Sequence, residues 1–172
     1  IIFFIFYLFM ISLISDIKRL FQYHGAEHKV VYNFESGKEI NTMNAQSFPT
    51  QHPRCGTSFM FIVLISAIVV FSLVDTILIY FYGSISLFTR LLFHLPFIPF
   101  VSGVSYEIIK LTAKNNHFLF HILKTPGIWL QNITTKEPDD KMIEVSISAI
   151  KNAFGDELVN YQGKKYTAEA IG

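Results

Sequence analysis

Apolar positions along this chain fall into long blocks. Ile1 to Ser15 is almost wholly apolar. As a helix it covers about 22 Å, short of the roughly 30 Å hydrocarbon core of a bilayer. It reads as the trailing part of a transmembrane helix, closed by Asp16, Lys18 and Arg19. On that reading the chain starts inside a hydrophobic segment and its true N-terminus lies upstream. Phe59 to Val74 is the cleanest apolar run, interrupted only by Ser66 and Ser72 and ended by Asp75. Thr76 to Thr89, with a break at Gly83-Ser84, connects it to a second span from Arg90 to Leu111. Pro96 and Pro99 predict a kink there, because prolines free backbone carbonyls from the helical ladder.

The remaining segments alternate more finely. Leu20 to Tyr32 is a candidate helix, although Gly25 weakens it. Val30 to Phe34 alternates and is followed by the turn residues Glu35-Ser36-Gly37-Lys38, so a short hairpin is expected. Asn41 or Thr42 can cap a short helix over Met43 to Phe48, and Pro49 and Pro53 keep the run into Cys55 extended. His117 to Gln131 is aromatic but interrupted by Lys124-Thr125-Pro126-Gly127, which suits an interfacial segment with Trp129 at headgroup level. Pro138 to Phe154 reads as a helix, with Pro138 at its first position and Asp139 and Asp140 in its first turn. Ile143, Ile147, Ile150 and Phe154 form its apolar stripe, and a polar, frayed tail is expected from Gly155. The pattern therefore divides the chain into 1–15 (partial transmembrane helix), 16–58 (loop region), 59–111 (two transmembrane helices and connector), 112–154 (interfacial segment and amphipathic helix) and 155–172 (tail). The expected class is mainly α, a helical integral membrane protein with a small α+β loop region.

Composition supports lipid as the solvent. The 172 residues include 18 Phe, the mean hydropathy is +0.40, and 16% of residues are charged, against roughly 25% in soluble domains. A net charge of +1 without a basic run excludes an obvious nucleic-acid surface. Two spans place 16–56 and 110–172 on one side. Lys18, Arg19, Lys29, Lys38, Arg54, Lys110 and Lys114 collect there, which makes that side cytoplasmic. Cys55 is the only cysteine, so no internal disulfide forms. On a reducing side Cys55 is a thiol or a ligand.

Candidate chemistry concentrates in two stretches. In Tyr23-His24-Gly25-Ala26-Glu27-His28 a helix puts His24 and His28 one turn apart with Glu27 beside them. His-x-x-Glu-His is the inverted zinc-protease spacing, in which both imidazoles bind zinc and the Glu acts as base. His52-Pro53-Arg54-Cys55-Gly56 adds an imidazole and a soft thiolate donor that favours zinc. His24, His28, His52 and Cys55 together would close a tetrahedral, structural site. A catalytic site requires His52 or Cys55 to stand off. Cys55 would then be a candidate nucleophile, activated by Arg54 or the metal, with Glu27 as base. Both readings stay open. Glu107, near the end of a span, can bind the metal, support a ligand or snorkel to water. His94 reads as a helix-packing donor, and His117 and His121 as interfacial histidines.

Five stretches in order also resemble the signatures of the YqhQ-like bacterial membrane family. They are Tyr23 to Lys29, His52 to Ser58, Gly103 to Glu107, Pro126 to Gln131 and Thr134 to Asp140. The resemblance covers about residues 16 to 153. It implies a bacterial cytoplasmic-membrane protein carrying a domain of unknown function, described as a predicted metal-dependent enzyme. Members usually carry an N-terminal glycine-rich region, roughly G-G-Q-A-V-x-E-G-V-M-M-R, which is absent here. The expected activity is zinc-assisted hydrolysis of a lipid-linked or peptide substrate at the cytoplasmic membrane face. The alternative is a non-catalytic scaffold whose zinc pins the loop region and whose helix 139–153 docks another membrane protein.

Overall fold

The structure is a computed structural model that describes residues 1–114, 118–161 and 163–166. His117 lies outside the described residues, as does the side chain of His121. The described chain is helical. In order come α1 (Ile2–Ser12), α2 (Ser15–Glu35), α3 (Thr42–Gln46), α4 (Gly56–Tyr82), α5 (Leu87–His94), α6 (Ile98–Lys114), α7 (Phe118–Thr134), α8 (Asp140–Phe154) and α9 (Leu158–Tyr161). Short 3₁₀ turns occupy Leu95–Phe97 and Gly155–Glu157. Residues 1–55 with 128–172 form one compact unit and residues 56–127 a second.

The first unit is built on α2 and α8. Ala26, Val30 and Phe34 recur every four residues on α2, and all three are buried against Met142, Ile143 and Ile147 of α8. This period carries the helix straight through Val30 to Phe34. The expected hairpin does not form, and no strand occurs among the described residues, so the α+β loop region is corrected to all-α. β-branched residues favour strands only weakly, and a buried stripe at helical spacing overrides that preference. The chain turns at Gly37, whose φ of 71° suits glycine, and the buried Asn33 amide donates to the carbonyls of Lys38 and Glu39. Asn41 caps α3, accepting from the Asn44 N–H at 2.8 Å. Lys29 is buried on α2. Its ammonium donates to the carbonyls of Gln46 and Phe48 and pairs with Glu137 at 3.0 Å.

Two expectations at the C-terminal side are corrected. Asp139 is the cap of α8, accepting from Met142 N–H at 2.9 Å, so Pro138 precedes the cap. A carboxylate that can accept from the first turn outcompetes a proline that can only fit it. Residues 155–161 and 163–166 are docked rather than frayed. Tyr166 stacks on Phe34 with ring centroids 5.3 Å apart, and its N–H donates to Glu35 O at 2.9 Å. Two tyrosines, Tyr161 and Tyr166, give this polar stretch enough apolar surface to pack on the core.

In the second unit α4 packs along α6. Asp75 does not end the first apolar helix, which continues to Tyr82 and stops at Gly83. The carboxylate stays within the helix because it is paired. His94 Nε2 donates to it at 2.9 Å and Arg90 Nε lies 3.4 Å away. The His94 ring stacks on Phe71 at 4.4 Å, the packing role expected of it. The Pro96–Pro99 region breaks the second apolar segment into α5, a 3₁₀ turn and α6, as prolines in a helix require. Gly56–Tyr82 and Leu87–Thr112 are each long and apolar enough to cross a membrane.

A candidate metal centre between two imidazoles and a thiol

His24 and His28 lie on α2 with their rings 4.4 Å apart. Each ring is anchored on its Nδ1 side by a backbone carbonyl. His24 Nδ1–H donates to Thr134 O at 2.9 Å, and His28 Nδ1–H donates to Thr50 O at 2.5 Å. Thr134 ends α7, where carbonyls have no intrahelical donor, so the first anchor satisfies an orphaned acceptor. Donation from Nδ1 leaves the lone pair on Nε2, the tautomer that a metal ligand needs, with the carbonyls fixing ring orientation. The His24 Nε2 edge meets Cys55 Sγ at 3.2 Å. His24, His28 and Cys55 each place one donor atom within 4.8 Å of the others. Donors on one tetrahedral zinc sit about 3.3–3.8 Å apart, so a small contraction of side chains suffices. Cys55 is buried, and its hydrogen bond with His24 raises the imidazole pKa while burial opposes the shift.

His52, the fourth expected ligand, is close but turned to other work. Its ring centre is 5.7 Å from that of His28. Its Nδ1 accepts the Arg54 N–H at 3.2 Å, and its Nε2 faces Glu35 Oε2 at 3.4 Å. Both ring nitrogens are therefore engaged, and neither offers a lone pair to the trio. Burial, with the His28 charge adding to it, pushes the His52 pKa down from 6.5 to about 4. The contact with Glu35 is therefore a hydrogen bond from a neutral ring, and the pairing that carries charge is Glu35 with Arg54. Gln131 holds the same strap by its backbone, accepting from His52 N at 2.8 Å and donating to His52 O at 2.9 Å.

Between pH 6.5 and about 4 the unfolded chain holds a proton on His52 that the folded chain refuses. Stability from this group is complete above pH 6.5 and falls as the pH drops toward 4, by up to about 3 kcal/mol. Melting curves at pH 7 and pH 4.5 should show this loss in the native protein and a smaller one in His52→Gln.

Glu27 is exposed on α2 beside the trio, and its charge adds to the upward shift of His24. Arg54 supports the strap through Glu35 rather than touching a donor atom. Glu107 lies on α6 in the second unit with an exposed side chain. Glu35, Gln131, Thr50 and Thr134 are the supporting residues that sequence reasoning missed. The one signal available was Gln131, a polar residue closing an apolar segment.

The chain belongs to a family described as a protein of unknown function (DUF1385), whose model matches residues 1–156. It is similar to the uncharacterized protein YqhQ of Bacillus subtilis (strain 168), at 36% identity over 166 residues. That match covers 96% of this chain and 50% of the relative, so the chain spans half the relative's length. No solved structure matches.

Proposed function

We propose that this protein is a metal-dependent hydrolase of the bacterial cytoplasmic membrane, with zinc held by His24, His28 and Cys55. One observation supports the reading: three donors converge while His52 turns to Glu35 and the Arg54 N–H, so a tetrahedral ion held by the trio would keep a fourth position for water or substrate. Zinc bound there would supply Lewis acidity and a nucleophile at neutral pH. The chain's own residues orient and move protons. Thr134 O and Thr50 O hold the imidazoles, and the Gln131–His52 clamp sets the strap that presents Cys55. Glu27, exposed one turn from His24, accepts the proton of the attacking water and returns it to the leaving group.

The membrane setting rests on the two apolar helices, whose side chains are almost all unburied, unlike the core helix of a soluble domain. The cytoplasmic orientation rests on the Lys and Arg bias described above, and the bilayer is the partner.

Glu27→Gln separates this reading from a scaffold with structural zinc. The expected result is full zinc content with hydrolysis lowered by about 10²–10⁴-fold, measured on lipid-ester and peptide substrates. Undiminished turnover in that variant removes Glu27 from the mechanism, whereas a zinc-loaded native protein that turns over neither substrate favours the scaffold.

A further inference from the structure

The face of α2 that carries His24 and Glu27 is also one wall of a groove against α8. The groove has a volume of about 680 Å³, inside the roughly 300–1,000 Å³ range of small-molecule sites. It runs along α2 from Leu20 to Val31, about 16 Å by helical rise. Its opposite wall includes Ala149 and Ala153, one turn apart on α8, whose small side chains leave the space open. Polar chemistry is confined mainly to the middle of the α2 wall, where His24 and Glu27 sit, with apolar residues on either side.

We propose that this groove binds the acyl chain of a lipid substrate, with the scissile carbonyl beside His24 and Glu27. The proposal rests on the hydrolytic reading above and names its substrate class. Three features favour an acyl chain over an apolar peptide. Both walls are helices, and away from the last turn of α8 their backbone groups are paired within the helix, so an extended peptide laid between them would lose hydrogen bonds to water without replacement. A hydrocarbon chain loses none. The reactive pair lies within the run of apolar wall rather than at its end, which suits a carbonyl with hydrocarbon beside it. The helix directly before α2 exposes Phe3, Phe6 and Tyr7 at 90%, 60% and 60%, so this unit itself carries lipid-seeking surface.

The test uses the full chain, zinc-loaded, in a fluorinated surfactant that competes poorly for acyl sites, with anthroyloxy-labelled palmitate as the probe. Saturable binding is expected. Ala149→Trp, which fills the groove, should weaken it at least about tenfold, equivalent to about 1.4 kcal/mol. Val31→Thr, nearly isosteric but with a hydroxyl on the apolar wall, should weaken it in the same direction and serves if the tryptophan variant does not fold. Zinc content should stay unchanged in both. With Co²⁺ in place of zinc, carboxyl-¹³C palmitate should show paramagnetic broadening that disappears in the groove variants. Non-saturable partitioning, equal affinity in native and variant proteins, or displacement of the probe by an apolar peptide but not by palmitate overturns the groove assignment and leaves the metal reading standing. A native protein that takes up no stoichiometric zinc overturns the hydrolytic reading, whatever the probe does.

Discussion

Replacing Cys55 with serine abolishes stoichiometric zinc in the purified protein, and His28→Ala does the same, whereas His52→Gln retains it. These are the expected results if the three converging donors are the ligands. A thiolate is the softest donor in the set, and serine offers a neutral hydroxyl at the same place. Loss of one donor from three should cost more than the roughly 10–100-fold in affinity typical of losing a residue that only supports a ligand. His52→Gln belongs to that milder group. It breaks the contacts with Glu35 and the Arg54 N–H but leaves Cys55 and both α2 imidazoles in place. Chelator competition followed by metal analysis reads the difference. Should His52→Gln empty the site as completely as Cys55→Ser, His52 swings in as a fourth ligand. The centre is then closed, which returns it to a structural role. Full zinc in Cys55→Ser removes Cys55 from the ligand set and with it the three-donor centre.

Gly25→Ala unfolds or severely destabilises the first unit, although alanine is the better helix former by about 1 kcal/mol. A Cβ on residue 25 would run into Lys136 O and lie 3.3 Å from the Thr50 methyl. Lys136 cannot retreat easily, because its N–H donates to Phe21 O at 2.9 Å, one turn earlier on the same helix. The segment after α7 is thus laid directly on the α2 backbone. Forcing it away also pulls Thr134 O from His24 and Thr50 O from His28. Overpacking alone costs about 1–3 kcal/mol, and the loss of both imidazole anchors adds to that. Thermal melting of Gly25→Ala against the native chain, with zinc binding in parallel, measures both effects. A melting point within a degree or two of native would show that the segment slides away without cost.

Much of this was legible in the residues. Long apolar runs need no tertiary information to be read as helices, because composition over 20 or more residues overwhelms local preference. The His24–His28 pair followed from helical spacing, and Cys55 from its donor chemistry. The places that misled share a cause. Val30 to Phe34 resembles a strand locally, but its fate was decided by α8, more than a hundred residues away. Gly25 looks like a helix weakness until Lys136 is laid across it. Asp75 resembles a helix end, yet His94 and Arg90 neutralise the reason to stop there.

Sequence alone therefore determined which segments are apolar helices and which side chains can bind a soft divalent cation, since both depend on residue identity and short spacing. Tertiary structure alone decided that His52 faces Glu35 while Cys55 faces His24. The direction of a side chain on an irregular strap is set by whichever distant partners satisfy its polar atoms, here Glu35 on α2 and Gln131 on α7.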